Sequence, residues 1–324
     1  MPKGCEYFMP TSFPKLSEQL RLSRLEPPTG KVNMVLDTDT FNEIDDQFAV
    51  AYSLLSKNKL NLQAIYAAPF FNEKSSGPKD GMEKSYQEIL DILERMDHPA
   101  EGFAFRGSEQ YLPADGTPVD SPAARDLVEK ALRTPDEEVL YVVAIGAITN
   151  VASAILMEPK IIEKIVVVWL GGHTLDWPDT NEFNLIQDIP AARVVLDCGV
   201  PLVLVPCVGV ASHLITTLPE INQYVKGKGR IGDFLAQRFE ECSDDHYAYS
   251  RVIWDISVVA WLIDAEFIPS CLVHSPIVTD QGTWSRSPTR HWIRIALFAD
   301  RNRVFKDLFS KLEQYAGEGE GEKR

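Results

Sequence analysis

Short apolar segments of strand length alternate with segments of helical periodicity from Lys31 to about residue 205, and no other feature constrains the fold as strongly. Such alternation is typical of βαβ units, which build a mostly parallel sheet covered by helices on both faces. The predicted strands are residues 31–36, 60–68, 139–145, 165–170 and 201–205, and the predicted helices are 45–57, 83–96, 121–133, 150–157 and 189–197. We therefore expect an α/β fold with a single open, doubly wound sheet.

The remainder of the chain is predicted to be mainly helical until a hairpin near the C terminus. The predicted helices there are residues 218–225, 231–240, 251–263 and 302–315, and the predicted hairpin pairs residues 271–279 with 291–298. No internal segment has the composition of a linker. The sequence therefore predicts a Pro-rich N-terminal extension, a single catalytic domain and a flexible tail, at residues 1–30, 31–316 and 317–324.

The charge balance narrows the possible partners. The 47 Asp and Glu residues outnumber the 32 Lys and Arg residues and give a formal charge of −15. Because nucleic acids and anionic membrane surfaces bind basic proteins, neither is an expected partner. The hydrophobic fraction of 45% argues against a disordered chain.

Membrane, secretion and cysteine signals all favour the cytoplasm. No apolar run reaches the roughly 18 residues that a membrane helix needs. The first thirty residues lack the apolar core of a signal peptide. The five cysteines form no CxxC pair, which disfavours both a zinc site and a disulfide framework.

An acidic cluster follows the first predicted strand. Between residues 37 and 46 lie five acids, which are Asp37, Asp39, Glu43, Asp45 and Asp46. Carboxylates this close repel one another unless a cation lies among them, and hard cations such as Ca²⁺ and Mg²⁺ take oxygen ligands of this kind. Asp45 and Asp46 could instead stabilise the positive end of a helix dipole, but that explanation does not account for Asp37 and Asp39. The cluster therefore predicts a cation site.

A further acid, Asp255, lies far along the chain within the apolar segment 252–262. This segment predicts a buried helix with Asp255 inside it. A buried carboxylate must be paired, hydrogen-bonded or bound to a metal. A structural salt bridge to Arg251 is the alternative to a metal ligand.

Two loops after other predicted strands add candidate contacts at the same edge of the sheet. Gly146 would let the main chain after Ile145 approach a ligand closely. The Gly171–Gly172–His173 segment and the nearby Glu182 supply further polar groups, although a Gly pair after a strand is also common in plain turns.

In this order, these motifs resemble those of the nucleoside hydrolase family, which comprises inosine–uridine-preferring and purine-specific N-ribohydrolases. The resemblance runs from about Lys31 to the C-terminal helix. It implies one Ca²⁺ at the bottom of the pocket, holding the ribose 2′- and 3′-hydroxyls and the attacking water. It further implies that the calcium ligands are Asp39, Asp46, Asp255 and the main-chain oxygen of Ile145, and that the substrate contacts are Asp45, Asn72, Glu182 and Asn184. By the same likeness, Asp39 is the general base.

The chain departs from the family pattern in three places. The first acidic loop is two residues longer than usual, so that Glu43 could intrude into the site. No match appears for the pocket asparagine that precedes Glu-Phe-Asn in many members. Trp254 replaces the histidine that often protonates the departing base, as in the purine-specific branch, where indoles stack on the base. Trp254 could equally be a plain core indole.

His246 is an alternative acid for the leaving base, because histidine titrates in the useful range, although it could equally be a solvated surface residue. The sequence thus predicts Ca²⁺-dependent hydrolysis of the N-glycosidic bond of ribonucleosides, with purine nucleosides slightly favoured. Dimers and tetramers are common in the family, so a homodimer or homotetramer is expected.

Two other functions remain open at this point. One is a non-catalytic protein that binds nucleosides or ribosyl groups and lacks an acid for the leaving base. The other is a haloacid-dehalogenase-type Mg²⁺ phosphatase, which also begins with Asp-x-Asp after a first strand. That motif has Thr or Val where this chain has Phe41, and it has no place for the Asp45–Asp46 pair.

Overall fold

The computed structural model describes residues 13–321, with side chains described from residue 13 to residue 318. Its strands are β1 (Val32–Thr38), β2 (Leu60–Ala67), β3 (Ala104–Arg106), β4 (Leu140–Ala144), β5 (Ile165–Leu170), β6 (Leu202–Val205), β7 (Ile215–Thr216), β8 (Arg251–Val252), β9 (Ser270–His274), β10 (Ile277–Val278), β11 (Trp284–Ser285) and β12 (Trp292–Ala296). Its helices are α1 (Glu18–Leu25), α2 (Asp46–Leu55), α3 (Pro78–Arg95), α4 (Pro122–Arg133), α5 (Thr149–Met157), α6 (Phe183–Gln187), α7 (Ile189–Asp197), α8 (Leu218–Tyr224), α9 (Gly229–Glu241), α10 (Ile256–Ile263) and α11 (Arg301–Gly321).

The central sheet has eight strands in the order β3-β2-β1-β4-β5-β6-β12-β9. Neighbouring strands pair in parallel, except that β9 runs antiparallel to β12. The chain builds outward from β1 in one direction through β2 and β3, and then in the other direction from β4. In sheets of this kind, ligands bind beyond the carboxyl ends of the strands where the direction of winding changes. That position lies between β1 and β4.

Helices cover both faces of the sheet, because alternate strand residues feed two separate cores. In β1, Leu36 belongs to a core with the buried side chains of α2, α10 and α11. The adjacent Val35 points to the other core, which contains buried residues of α4, α5 and α7. Successive side chains of a strand alternate between the two faces of its sheet, and here both faces are apolar. The predicted doubly wound α/β fold is confirmed.

Helix α1 lies in the predicted N-terminal extension and was not expected from the Pro-rich sequence. Ser17 begins it by accepting a 3.2 Å hydrogen bond from the Leu20 amide. Arg21 donates to the carbonyl of Gly199 at 2.6 Å, and Arg294 donates to that of Leu25 at 2.5 Å. These contacts dock α1 against the body of the protein.

The C-terminal part differs from the prediction at three points. The predicted helix 251–263 begins as the short strand β8, which pairs with β7, and becomes helical only at Ile256. The predicted pairing of the late strands is present as β9 with β12, but the small hairpin β10–β11 lies between them. Helix α11 continues to Gly321, well past the predicted end at residue 315. No helix within residues 13–321 is both long enough and apolar enough to cross a membrane.

Candidate active site

A cavity of about 240 Å³ opens at the carboxyl ends of β1, β4, β5 and β6. The loops after these strands supply most of its lining, because parallel strands end at the same edge of a sheet. The sequence-predicted residues that line it are Asp39, Asp45, Asp46, Ile145, Glu182, Asn184, Trp254 and Asp255. Residues that are far apart in the sequence therefore meet where the winding of the sheet changes direction.

Four buried carboxylates lie at one end of this cavity. Asp45, Asp46 and Asp255 each offer an oxygen within 4.8 Å of the others. Their side chains and that of Asp39 are at most 4% exposed. Both carboxylate oxygens of Asp39 and Oδ1 of Asp45 lack a hydrogen-bond partner. Buried carboxylate oxygens without a partner in the protein are ligands of the kind that a hard cation takes.

The electrostatics of the cluster support the same conclusion. Burial raises the pKa of Asp39, Asp46 and Asp255 well above the usual range, and the neighbouring carboxylates raise it further. Burial and then Glu43 raise the pKa of Asp45 to about 7. Without a cation, the ionised forms of these four groups are therefore costly.

The longer first loop is held by a backbone turn, an ion pair and a side-chain hydrogen bond. The Asn42 amide donates to the carbonyl of Asp39 at 2.7 Å and closes a turn. Glu43 lines the cavity, as the longer loop made possible, and its carboxylate pairs with Arg251 at 2.6 Å. Asp46 begins α2, and the hydroxyl of Thr38 donates to its Oδ1 at 2.5 Å. The longer loop thus adds Asn42 and Glu43 to the cavity lining and leaves Asp45 and Asp46 in the cluster.

Asp37 has a different environment from the other acids of the motif. Its Oδ1 accepts a 2.7 Å hydrogen bond from Asn150, whose own Oδ1 accepts from Ser108. Burial raises the pKa of Asp37 to about 7. Asp37 does not line the cavity. It ties β1 to the start of α5.

Asp255 lies at the N-terminal cap of α10, and the prediction that it lies inside the helix is wrong. The reason is that the backbone before Asp255 pairs with another segment of the chain instead of continuing the helix. The Ile253 amide donates to the carbonyl of Leu214 at 2.8 Å. The alternative salt bridge between Arg251 and Asp255 is not formed, because Arg251 pairs with Glu43. The Trp254 amide then donates to Oδ2 of Asp45 at 3.1 Å.

The loops after β4 and β5 bring backbone groups to the same cavity. The side-chain amide of Asn184 donates to the carbonyls of Ile145 and Leu170, at 3.2 and 3.0 Å. Glu182 accepts from the amides of Gly172, Asn184 and Leu185 at 2.8–3.0 Å. Burial nevertheless raises the pKa of Glu182. This carboxylate therefore shapes the loop as well as lining the cavity.

Two sequence-predicted residues lie outside the cavity lining. His246 is turned toward α9, where its Nε2 lies 2.9 Å from the carbonyl oxygen of Glu240. Its ring stacks against Phe239 at 6.0 Å between centroids. Asn72 donates from Nδ2 to Oδ1 of Asn42 at 2.7 Å, and Asn42 rather than Asn72 lines the cavity.

The cavity also includes Asn42 and Cys207, which received no role from the sequence, and His173 and Asn181 of the polar segments after β5. The Val208 amide donates to Nδ1 of His173 at 3.4 Å, so the proton of the neutral ring lies on Nε2. Burial lowers the pKa of His173. The Gly-Gly pair before it was the only local signal for this residue.

Comparison with known sequences gives one consistent family. The family model described as inosine-uridine preferring nucleoside hydrolase matches residues 34–306. A probable uridine nucleosidase of Arabidopsis thaliana is 25% identical over 237 residues, which are 64% of this chain and 70% of the relative. A pyrimidine-specific ribonucleoside hydrolase of an Enterobacter species is 29% identical over 263 residues, which are 72% and 79% of the two chains.

Solved structures share the fold. A plant nucleoside hydrolase superposes with a TM-score of 0.68 at 19% identity, covering 88% of this chain and 99% of the other. A purine-preferring ribonucleoside hydrolase from Gardnerella vaginalis superposes with a TM-score of 0.67 at 20% identity and the same coverage. The family match across most of the chain, joined to this fold, leaves one conclusion: the chain belongs to the nucleoside hydrolase family and is a glycosidase that acts on nucleosides.

Proposed function

We propose that this nucleoside hydrolase depends on Ca²⁺ and favours purine ribonucleosides, which it converts to free base and ribose. The observation that carries the proposal is the set of buried carboxylate oxygens on Asp39 and Asp45 that have no partner. Asp45, Asp46 and Asp255 form a compact and strongly anionic oxygen cage, and Asp39 lies near enough for the charges of Asp46 and Asp45 to raise its pKa. A doubly charged hard cation matches that cage in charge and in ligand type.

In this proposal, Asp39, Asp46, Asp255 and the carbonyl oxygen of Ile145 hold the cation, while Asp45 binds a ribose hydroxyl. The Ile145 carbonyl accepts from Asn184, and a carbonyl oxygen has a second lone pair available. When bound, Ca²⁺ supplies a positive charge that lowers the pKa of water and orients vicinal hydroxyls.

The protein's own groups carry the remaining chemistry. Asp39 takes the proton of the attacking water, because it is a buried carboxylate that lines the cavity at the proposed cation site. Cleavage passes through an oxocarbenium-like state, in which positive charge grows on the ribose. The surrounding carboxylates favour that charge electrostatically. Glu182 and Asn184 fix the sugar from the opposite loop.

The purine preference rests on Trp254. Its side chain lines the cavity beside Asp255, and indoles stack well on the large faces of purines. Trp254 has no acidic proton to donate, so its contribution is to bind the base. Relatives differ in this respect, since the Enterobacter enzyme is named as pyrimidine-specific and the Gardnerella enzyme as purine-preferring.

A nucleoside-binding protein without catalysis is the second candidate. Trp254 favours this candidate, because many members of the family have at its position a histidine that can protonate the base. Under this alternative, the carboxylates and the cation would retain the nucleoside without cleaving it.

The deciding experiment incubates the purified protein with inosine, adenosine, guanosine, uridine and cytidine, and assays reducing sugar. We expect release that stops on chelation and returns with Ca²⁺, and that is fastest with the purines. Asp39→Ala should abolish turnover, whereas Asp91→Ala, at an exposed position of α3, should leave it unchanged. Calorimetric binding of nucleosides with no sugar release would instead support the binding protein.

We further propose a cytoplasmic homodimer or homotetramer. The free thiols of Cys198, Cys207, Cys242 and Cys271 suit a reducing compartment. Oligomers are what the family resemblance implies. Light scattering coupled to size-exclusion chromatography would measure the mass, and a mass of one chain would refute the oligomer.

A further inference from the structure

Asn42 lies in the longer first loop, and it lines the cavity where Asn72 does not. Its side chain is 7% exposed and lines the cavity together with Asp39 and Asp45. Its backbone is held on both sides, since its amide donates to the Asp39 carbonyl and its own carbonyl accepts from Nζ of Lys74, each at 2.7 Å. The side chain therefore has a fixed point of attachment.

A chain of hydrogen bonds fixes the orientation of its amide group. The backbone N–H of Lys74 can only donate, and it donates to Oδ1 of Asn72 at 2.9 Å. The other end of the Asn72 amide is therefore the donor, and it donates from Nδ2 to Oδ1 of Asn42 at 2.7 Å. Because the oxygen of Asn42 is used in this way, its Nδ2 is left as the free end.

Within residues 13–318, Nδ2 of Asn42 donates no hydrogen bond to the protein, and it is not among the fully enclosed atoms that lack a partner. Nδ2 is therefore accessible, and Asn42 lines the cavity. The cavity is the place from which an acceptor can come. A relay that leaves a donor free on a residue lining the cavity is the arrangement expected of a residue that contacts the ligand.

We infer that Asn42 donates a hydrogen bond from Nδ2 to one of the two vicinal hydroxyls of the ribosyl group, and that Asn72 is a positioning residue behind it. The sugar end of the substrate is favoured because Asn42 lies three residues from both Asp39 and Asp45. This inference rests on the proposed function. It assigns the substrate contact to the extra residues of the first loop rather than to Asn72.

The test is a double-mutant cycle on nucleoside cleavage. Asn42→Ala should lower kcat/KM for inosine by about 10- to 100-fold, because the substrate hydroxyl loses its donor. Asn72→Ala should lower it less, and the double variant should match Asn42→Ala. Asn61→Ala is the matched control, because Asn61 donates to Asn33 at 2.8 Å in an exposed asparagine pair, and it should change nothing.

Deoxynucleosides separate a substrate contact from a structural effect. If Asn42 contacts a vicinal hydroxyl, Asn42→Ala should have little effect on either 2′-deoxyinosine or 3′-deoxyinosine, whichever lacks the contacted group. Equal losses on inosine and both analogues would overturn the inference, as would additive losses in the double variant. Asn42→Ser provides a second variant if the alanine form does not fold, as judged by its melting curve.

D-ribose binding, followed by calorimetry in the presence of Ca²⁺, keeps this test independent of turnover. Asn42→Ala should weaken ribose binding at least 10-fold relative to the wild type. An unchanged affinity would overturn the assignment of Asn42. A wild-type protein that binds ribose but cleaves no nucleoside would refute the hydrolase proposal while leaving the assignment of Asn42 testable.

Discussion

A Cβ atom added to Gly146 would lie 3.1 Å from Oδ1 of Asp39. The same atom would lie 3.0 Å from Cβ of Ala68, which follows β2. The backbone after β4 therefore rests directly against the proposed general base. The approach of the main chain at Gly146 to a ligand stays a prediction, and within the protein Gly146 lies against the carboxylate of Asp39.

Gly146→Ala should displace the Asp39 carboxylate by a few tenths of an ångström. We expect kcat to fall by roughly 10-fold, because small errors in the position of a catalytic group are costly, while the protein still folds. Steady-state kinetics with inosine would measure the change. Gly317→Ala in α11 is the control, since a Cβ there meets nothing within 4 Å. A Gly146→Ala enzyme with the wild-type kcat would contradict this role of Gly146.

Thr38→Val should weaken calcium binding without removing a ligand. The Thr38 hydroxyl donates to Oδ1 of Asp46 and so orients that carboxylate. Loss of such a supporting hydrogen bond typically costs about 10- to 100-fold in metal affinity. Calorimetric titration with Ca²⁺ would measure it. Thr289→Val, at an exposed loop position, should bind Ca²⁺ as the wild type does.

Trp254→Ala should reduce purine cleavage more than pyrimidine cleavage. The contact between Trp254 and Asp45 uses the backbone amide, so the substitution leaves it in place. Loss of stacking should lower kcat/KM for inosine by about 10-fold more than for uridine. Trp254→Phe retains an aromatic face and should lose much less. Equal losses on both nucleosides in the alanine variant would show that the indole does not select the base.

The calcium-free protein should lose stability as the pH rises from about 4 to about 7. The pKa values of Asp37 and Asp45 are raised to about 7, so the folded state retains protons that the unfolded state has released. The free energy of unfolding therefore falls through this window and levels off above it. Thermal melting at a series of pH values would follow the change.

Calcium-loaded protein is the control for that measurement. His291, whose pKa burial lowers to about 4, acts in the opposite direction but does so with or without calcium. The difference in Tm between loaded and calcium-free protein should therefore widen by several degrees between about pH 5 and pH 7. A difference that shrinks with rising pH would contradict the assignment of buried carboxylates to the cation site.

Much of the architecture follows from local patterns, because the core strands are continuous apolar runs and the sheet edge they share dictates where their loops meet. Asp39 and Asp46 lie at that edge for this reason, and Asp255 reaches them from the start of α10. The short strand β3 escaped notice because only its first residue is buried. The position of Asp255 at a helix cap depended on the pairing of β7 with β8, which the apolar pattern does not reveal.

The side chains of loops were harder to place than the loops themselves. Asn72 follows β2 as expected, but its amide turns toward Asn42 because the longer first loop stands between it and the cavity. His246 was predicted as an alternative acid for the leaving base, yet its ring is turned toward the carbonyl of Glu240. Such orientations depend on tertiary hydrogen bonds that leave no periodic signature.

The meeting of Asp46 with Asp255 has a consequence for biosynthesis. Asp46 and Asp255 are 209 positions apart in the sequence, yet a carboxylate oxygen of one lies within 4.8 Å of a carboxylate oxygen of the other. A ribosome that has made only the first two thirds of the chain has therefore produced an incomplete set of carboxylates. Tight uptake of a cation must wait until the start of α10 has emerged and docked. Binding of a cation would thus mark the completion of the fold. The bound cation would link the loop after β1 to the start of α10.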